Sequence, residues 1–345
     1  MRILSVVGAR PQFVKASVVS RALRKRHEEI LVHTGQHYDD EMSKVFFDIM
    51  NIPKPDYNLE VGSGPHGWQK ARMLEGIEKI ILDRQPDWVL VYGDTNSTLA
   101  GALAAVKVHV PVAHVEAGLR SFNMRMPEEV NRKLTDHISK LLFCPTGTAV
   151  ENLRKEGIVN GVHIVGDVMY DAALEYSNVQ TDVLERNGLM PKEYLLMTVH
   201  RPANTDTKQN LDNIFMAMEG HKVVFPAHPR TLKKIEEHGI KVPDNITLIK
   251  PVNYVDSLAL LRNAEKLLTD SGGMQKEAYF FGTPCITLRE DTEWLETVDA
   301  GWNVLTGADV RKIKNALQNF NPAGERKPIY GDGKASEKIA SLIES

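Results

Sequence analysis

Short apolar runs rich in β-branched residues alternate with longer amphipathic or alanine-rich stretches from one end of the chain to the other. "RILSVVG", "EEILVHTG", "WVLVYGD", "PVAHVEA", "LLFCPT" and "GVHIVGD" occupy the first half. "YLLMTVH", "KVVFPAH", "ITLIKP", "KLLTD", "TPCITL" and "NVL" occupy the second. Between them lie stretches such as "STLAGALAAVK" and "TGTAVENLRKEG". Strand-helix alternation of this kind builds βαβ units and parallel sheets. With 345 residues the chain is too long for one ordinary core. Both halves show the pattern, so the sequence predicts an α/β protein of two Rossmann-like, doubly wound domains in tandem. The polar stretch "QTDVLERNGLMPKE" separates the two series. The predicted boundary falls in the region 168–190, with domains over 1–170 and 171–330.

Composition narrows the function classes. A net charge of −3 offers no general attraction to nucleic acid or to anionic membranes. No stretch approaches the roughly 20 apolar residues of a spanning helix. "MRILSVVGAR" opens as a strand rather than as a charged leader followed by a long apolar core, so a cytoplasmic location is expected. Cys144 and Cys285 sit in apolar runs without metal-ligand spacing and read as buried free thiols in a reducing compartment. The twelve histidines include no H-E-x-x-H and no cysteine-histidine cluster. His33 and His37 are four apart across a turn, which is not a helical pair. No metal is expected.

In open parallel sheets ligands bind beyond the carboxyl ends of the strands. The polar residues at those places are Arg10, Asp94, Glu116, His200, His228 and the Ser271-Gly272-Gly273 turn. Glycines at a strand-helix turn let the backbone approach a ligand, and the free N–H groups of the helix end attract phosphate. Glu277, six residues beyond Ser271, could accept both hydroxyls of a ribose. The plain alternative is a tight turn with Ser271 as helix cap. Neither G-x-G-x-x-G nor G-x-x-x-x-G-K-[ST] is present here. Arg10 and Lys15 flank a helix start in "GARPQFVK", where cations oppose the helix dipole and therefore suit an anionic ligand better than the helix. Asp94 or Thr95 can simply cap the helix after "YGD", and Glu128 and Glu129 after Pro127 make an ordinary acidic first turn. Glu116 has no such structural duty. Three carboxylates at strand exits of one domain, facing cations of the same domain, suit acid-base chemistry. His200 and His228 each end a strand, and either can be structural.

Together "GARPQFVK", "GDTNST", "HVEAGLRS", "MPEEVNR", "HRPAN", "HPRT" and "TDSGGMQKEA" resemble, in order and setting, the non-hydrolysing UDP-N-acetylglucosamine 2-epimerases. The resemblance runs from Arg2 to about Asn303. It implies a GT-B architecture with the nucleotide sugar in the cleft between the domains, and a final segment, 331–345, whose helix crosses back to the first domain. It implies inversion at carbon 2 by anti elimination of UDP to 2-acetamidoglucal and re-addition from the other face, with no redox cofactor and no metal. Residue by residue, Asp94, Glu116, Glu128 and His200 match catalytic positions. Arg10, Lys15, Arg132, Ser271, Gly272, Gly273, Glu277, Thr292 and Glu293 match positions that hold UDP and sugar. Bacterial members also bind a second UDP-sugar as effector, at positions matched by Gln36, Arg72, Arg201 and His228. A homodimer is implied as well.

Three departures stand out. Asp39 replaces a frequent glutamine near the effector positions. "TEWLETVDAGWN" replaces T-E-R-P-E, and "RPQF" replaces R-P-E-I/A. The last two resemble the branch acting on UDP-2,3-diacetamido-2,3-dideoxy-glucuronate. A GT-B glycosyltransferase and a non-catalytic nucleotide-sugar sensor are the alternatives for the same layout.

Overall fold

The computed structural model describes residues 1–36, 52–322 and 324–344. Residues His37 and Asp39 lie outside the described residues. The chain divides into two compact units, Met1–Leu174 with Pro328–Ser345, and Glu175–Lys327.

The first unit is built on a seven-stranded parallel sheet. Its strands are β1 (Arg2–Val7), β2 (Glu28–His33), β3 (Tyr57–Asn58), β4 (Trp88–Tyr92), β5 (Val112–Val115), β6 (Leu141–Cys144) and β7 (Val162–Ile164). They lie in the order β3-β2-β1-β4-β5-β6-β7. The second unit carries a six-stranded parallel sheet of β8 (Leu195–Thr198), β9 (Val223–Pro226), β10 (Ile246–Ile249), β11 (Lys266–Thr269), β12 (Cys285–Thr287) and β13 (Asn303–Leu305), ordered β10-β9-β8-β11-β12-β13. These are the two Rossmann-like domains of a GT-B chain. All the strands expected from the apolar runs are present. Among the described residues the additional one, β3, is two residues long and polar at Asn58, and it pairs at the sheet edge with Val32 and His33 of β2. Nothing in its composition marks it.

Both central strands, β1 and β8, are almost wholly buried because helices cover both faces of the sheet. In the first unit Leu4, Val6, Val89 and Val91 pack against Met73 and Ile77 of the helix His66–Arg84. In the second, Met197, Phe225 and Ile286 pack with Ile214 and Ile313. Strand order reverses between β1 and β4 and again between β8 and β11. At each reversal the neighbouring crossovers leave in opposite directions, which opens a crevice at the strand ends. Among the described residues no helix is long and apolar enough to cross a membrane.

Residues Pro328–Ser345 fold with the first unit. The helix Ala335–Leu342 lies on the helix Arg10–Leu23. Asp171 caps it: one carboxylate oxygen accepts from the Ser336 N–H and hydroxyl, both at 2.7 Å, and the other from the Ala335 N–H at 3.1 Å. The Asp167 N–H donates to the Tyr330 carbonyl at 2.9 Å, which fixes the entry into this segment. Removing a buried acceptor strands its donors, at about 1–3 kcal/mol. Asp171→Ala is therefore expected to lower thermal stability and to speed amide exchange across Ala335–Leu342, with exchange in Glu175–Lys327 unchanged.

Candidate active site

In the first unit, three strand exits are tied together by side chains that are themselves buried. Gln12 is 1% exposed. Its carbonyl accepts from the Gly8 and Ala9 N–H groups at 2.9 and 3.0 Å, and its amide donates to the Tyr92 carbonyl at 2.7 Å. It thus locks the end of β1 to the end of β4. A glutamate there could accept the two N–H groups but could not donate to Tyr92 when ionised. His114 donates to the Gly93 carbonyl at 2.7 Å and meets Asp136 at 2.7 Å. Asp136 also accepts from the Gly118 N–H at 3.1 Å and from Arg120 at 2.7 Å. Burial alone would raise the Asp136 carboxyl, but the bonds from His114 and Arg120 hold it below its usual range. Through Asp136 the helix Pro127–Ile138 is fastened to the exits of β4 and β5.

On this framework stand the carboxylates. Thr95, not Asp94, caps the helix Asn96–Lys107, accepting from the Thr98 N–H at 3.3 Å. Asp94 is thereby left to pair with Arg132. Glu116 follows β5 with φ +70, a left-handed conformation that costs a non-glycine residue about 1–2 kcal/mol. Its carboxylate pairs with Lys15, which projects from the helix Arg10–Leu23. Gly93 makes room for that pair, since a Cβ there would stand 3.3 Å from both the Glu116 oxygen and Lys15 Nζ.

The two glutamates of "MPEE" part company. Glu129 is fully buried and accepts from the Ser121 and Phe122 N–H groups at 2.9 and 3.1 Å and from Arg132 at 2.9 Å. It positions Arg132 and the preceding loop, while Glu128 stays exposed beside Asp94. Desolvation raises the Asp94 carboxyl, and the charges of Glu116 and Glu128 push the same way against Arg132 and Lys15. A third of the Asp94 side chain still meets solvent, so it is shielded yet reachable. Lys15, Asp94, Glu116, Glu128 and Arg132 are thus one electrostatic cluster.

In the second unit the fully buried Asp270, at the end of β11, organises the end of β8. It accepts from the His200 N–H at 3.1 Å, the Arg201 N–H at 3.0 Å and Asn204 at 3.0 Å, and lies 3.2 Å from His200 Nδ1. Desolvation, with the charges of Arg201 and His228, holds His200 below its ordinary value against the pull of Asp270. Ser271 caps the helix Gly272–Phe281, its hydroxyl accepting from the Met274 N–H at 3.5 Å. A Cβ on Gly273 would meet only Ser271 Oγ, at 4.0 Å, whereas one on Gly272 would be driven into Glu293. Glu277 is buried in the same helix. Thr292 donates to Gln275 at 2.6 Å, which makes it part of the frame beneath the turn.

The residues matched to an effector site have local partners. Gln36 accepts from the Ser97 N–H and hydroxyl at 3.1 and 2.7 Å, at the start of the helix Asn96–Lys107. Arg72 is exposed beside Glu75. Arg201 donates to the Asp270 carbonyl at 3.1 Å. His228 accepts from the Arg230 N–H and caps the helix Pro229–Glu237. Among the described residues no group of three His, Cys, Asp or Glu side chains could hold a metal ion. Cys144 and Cys285 are buried and unpaired, and burial pushes each thiol up to about 12.

Two Rossmann-like domains, one carrying a cluster of carboxylates and cations at its strand exits and the other a Ser-Gly-Gly helix start, are the class of protein this arrangement defines. The family model described as UDP-N-acetylglucosamine 2-epimerase matches residues 21–344. A UDP-N-acetylglucosamine 2-epimerase homolog of Methanococcus maripaludis is 52% identical, with all of each chain covered. The UDP-2,3-diacetamido-2,3-dideoxy-D-glucuronate 2-epimerase of Pseudomonas aeruginosa is 49% identical over 99% of both chains. The crystal structure of Methanocaldococcus jannaschii UDP-GlcNAc 2-epimerase, in complex with UDP-GlcNAc and UDP, superposes with a TM-score of 0.89 at 43% identity, covering 100% of this chain and 99% of that one. The chain belongs to the UDP-N-acetylglucosamine 2-epimerase family.

The framework reaches outward through Arg120, which holds Glu156 with bonds of 2.9 and 2.7 Å and brings its carboxyl down to about 2. A carboxyl lowered in the folded state stabilises fully above its unfolded value, near 4.5, and loses that contribution as pH falls through about 2. Between these limits the wild-type protein should lose stability more steeply than Glu156→Gln. Denaturant unfolding followed at about pH 5 and about pH 3 measures the difference.

Proposed function

We propose that the chain is a non-hydrolysing epimerase that inverts carbon 2 of a UDP-2-acetamido sugar, interconverting UDP-N-acetylglucosamine and UDP-N-acetylmannosamine. The observation that carries the reading is the grouping of Asp94, Glu116 and Glu128 around Lys15 and Arg132. The carbon 2 proton is not very acidic, so abstraction and return on an intact substrate is a poor route. Anti elimination of UDP lets the departing diphosphate carry off the electrons. One group takes the carbon 2 proton, the bond to the diphosphate breaks, and 2-acetamidoglucal remains. Re-addition of UDP with protonation on the opposite face completes the inversion. The chemistry needs two carboxyl groups in different protonation states. Desolvation raises the Asp94 carboxyl against the pull of Arg132 and Lys15, which makes Asp94 the candidate for the acid of the set. Within the second unit, His200 serves the charge on the diphosphate, Ser271, Gly272 and Gly273 cradle it, and Glu277 takes the ribose; Arg10 and Lys15 are the cations the first unit offers to an anion.

A second substrate has its own support. The diacetamido-glucuronate epimerase relative is nearly as similar as the first-named one, and "TEWLE" departs from T-E-R-P-E. On that substrate the carbon 2 chemistry is the same.

Proton NMR in deuterated water, with each UDP-sugar in turn, tests both. The expected result is the epimer carrying deuterium at carbon 2 for one of them. Unchanged sugar in both cases would leave only a binding role. Asp94→Asn, Glu116→Gln and Glu128→Gln should each lower kcat by about 100-fold or more while UDP still binds.

A further inference from the structure

Glu293 lies where the proposed function puts a phosphate. A Cβ on Gly272, the first residue of the helix Gly272–Phe281, would stand 2.3 Å from Glu293 Oε1. The carboxylate therefore rests on the opening of that helix. No acidic residue occupies the helix's own first turn, so the anion at its positive end comes from elsewhere in the chain. Two guanidinium groups flank it: Arg289 Nη1 is 2.9 Å from Oε2 and Arg201 Nη2 is 3.7 Å from Oε1.

These contacts are those of charge rather than of aligned hydrogen bonds. Arg289 Nη1 is buried and, despite its short distance to Glu293, has no hydrogen-bond partner. The rest of its guanidinium is committed to Asp291 through Nε and Nη2, at 3.2 and 2.9 Å. One buried N–H thus points toward an anion without a well-directed acceptor. Glu293 itself is a third exposed and can swing out without crossing the core.

We propose that Glu293 is an internal stand-in for the diphosphate, seated on the turn and its two arginines when no nucleotide is bound and displaced when one arrives. The inference rests on the reading that the Ser271-Gly272 turn binds the diphosphate. Two anions cannot share one helix end at contact distance without strong repulsion. With the carboxylate in place, both arginines beside the turn have an anion near them. Binding then exchanges one anion for another, which moderates the affinity for UDP and favours its release.

The sign of one substitution decides the matter. If Glu293 competes with the diphosphate, Glu293→Gln should tighten UDP by about two- to fivefold, the scale of one partly exposed ion pair. If it is a direct ligand of the nucleotide, the same change weakens binding. Isothermal titration of wild type and Glu293→Gln with UDP gives the ratio. A series in increasing salt should show a steeper loss of affinity for the variant, whose cations are no longer partly neutralised. Glu293→Asp, a methylene too short to reach Gly272, should tighten UDP as well and serves if the glutamine variant does not fold. Unchanged or weaker binding in the variants would overturn the stand-in role. A wild-type protein that binds no UDP would overturn the placement of the diphosphate itself.

Discussion

The peptide groups just beyond a parallel strand have no ladder to join, and a buried one left unpaired costs about as much as a lost hydrogen bond. In this protein the need is met at the sites that matter by fully buried polar side chains. Gln12 answers for Gly8, Ala9 and Tyr92, His114 for Gly93, Asp136 for Gly118, and Asp270 for His200 and Arg201. Each joins two strand exits or a strand exit to a helix. The proposed reacting groups are thus relieved of holding the backbone, which other side chains secure beneath them.

That division explains the uneven legibility of the sequence. The strands were readable because apolar runs in a chain of this length have few uses other than sheets buried on both faces. The candidate residues were readable because Asp94, Glu116 and the Ser-Gly-Gly turn occupy strand exits, where topology alone puts ligands. The frame beneath them was not. Asp136 and Glu129 are ordinary acidic residues on an amphipathic helix until the fold shows them buried. Asp270 reads as the polar end of a strand, and Gln12 as one letter of a motif. For Asp136, Gln12 and Asp270 the importance depends on partners 16 to 80 residues distant in sequence: Arg120, Tyr92 and His200 respectively. No local periodicity encodes a contact of that range.

Neighbouring carboxylates also illustrate how burial sorts like residues into unlike roles. Glu128 and Glu129 are adjacent, yet a helix turns them about 100° apart. One becomes an acceptor for two backbone N–H groups and an arginine, while the other stays exposed beside Asp94. The same sorting separates Thr95 from Asp94. Because the threonine takes the cap, the aspartate is available to Arg132.

The return of residues 328–344 to the first unit has a consequence for how the molecule is made. Synthesis proceeds from the amino terminus, so the helix Arg10–Leu23 emerges well before the helix that covers it. Its covering helix, Ala335–Leu342, emerges more than 300 residues later. The second unit, Glu175–Lys327, is continuous and can close while the chain is still on the ribosome. The first unit must wait with an apolar helix face uncovered and with Asp171 lacking the Ala335 and Ser336 donors it will cap. Nascent-chain chaperones would meet this protein at its amino-terminal half, even though that half is translated first.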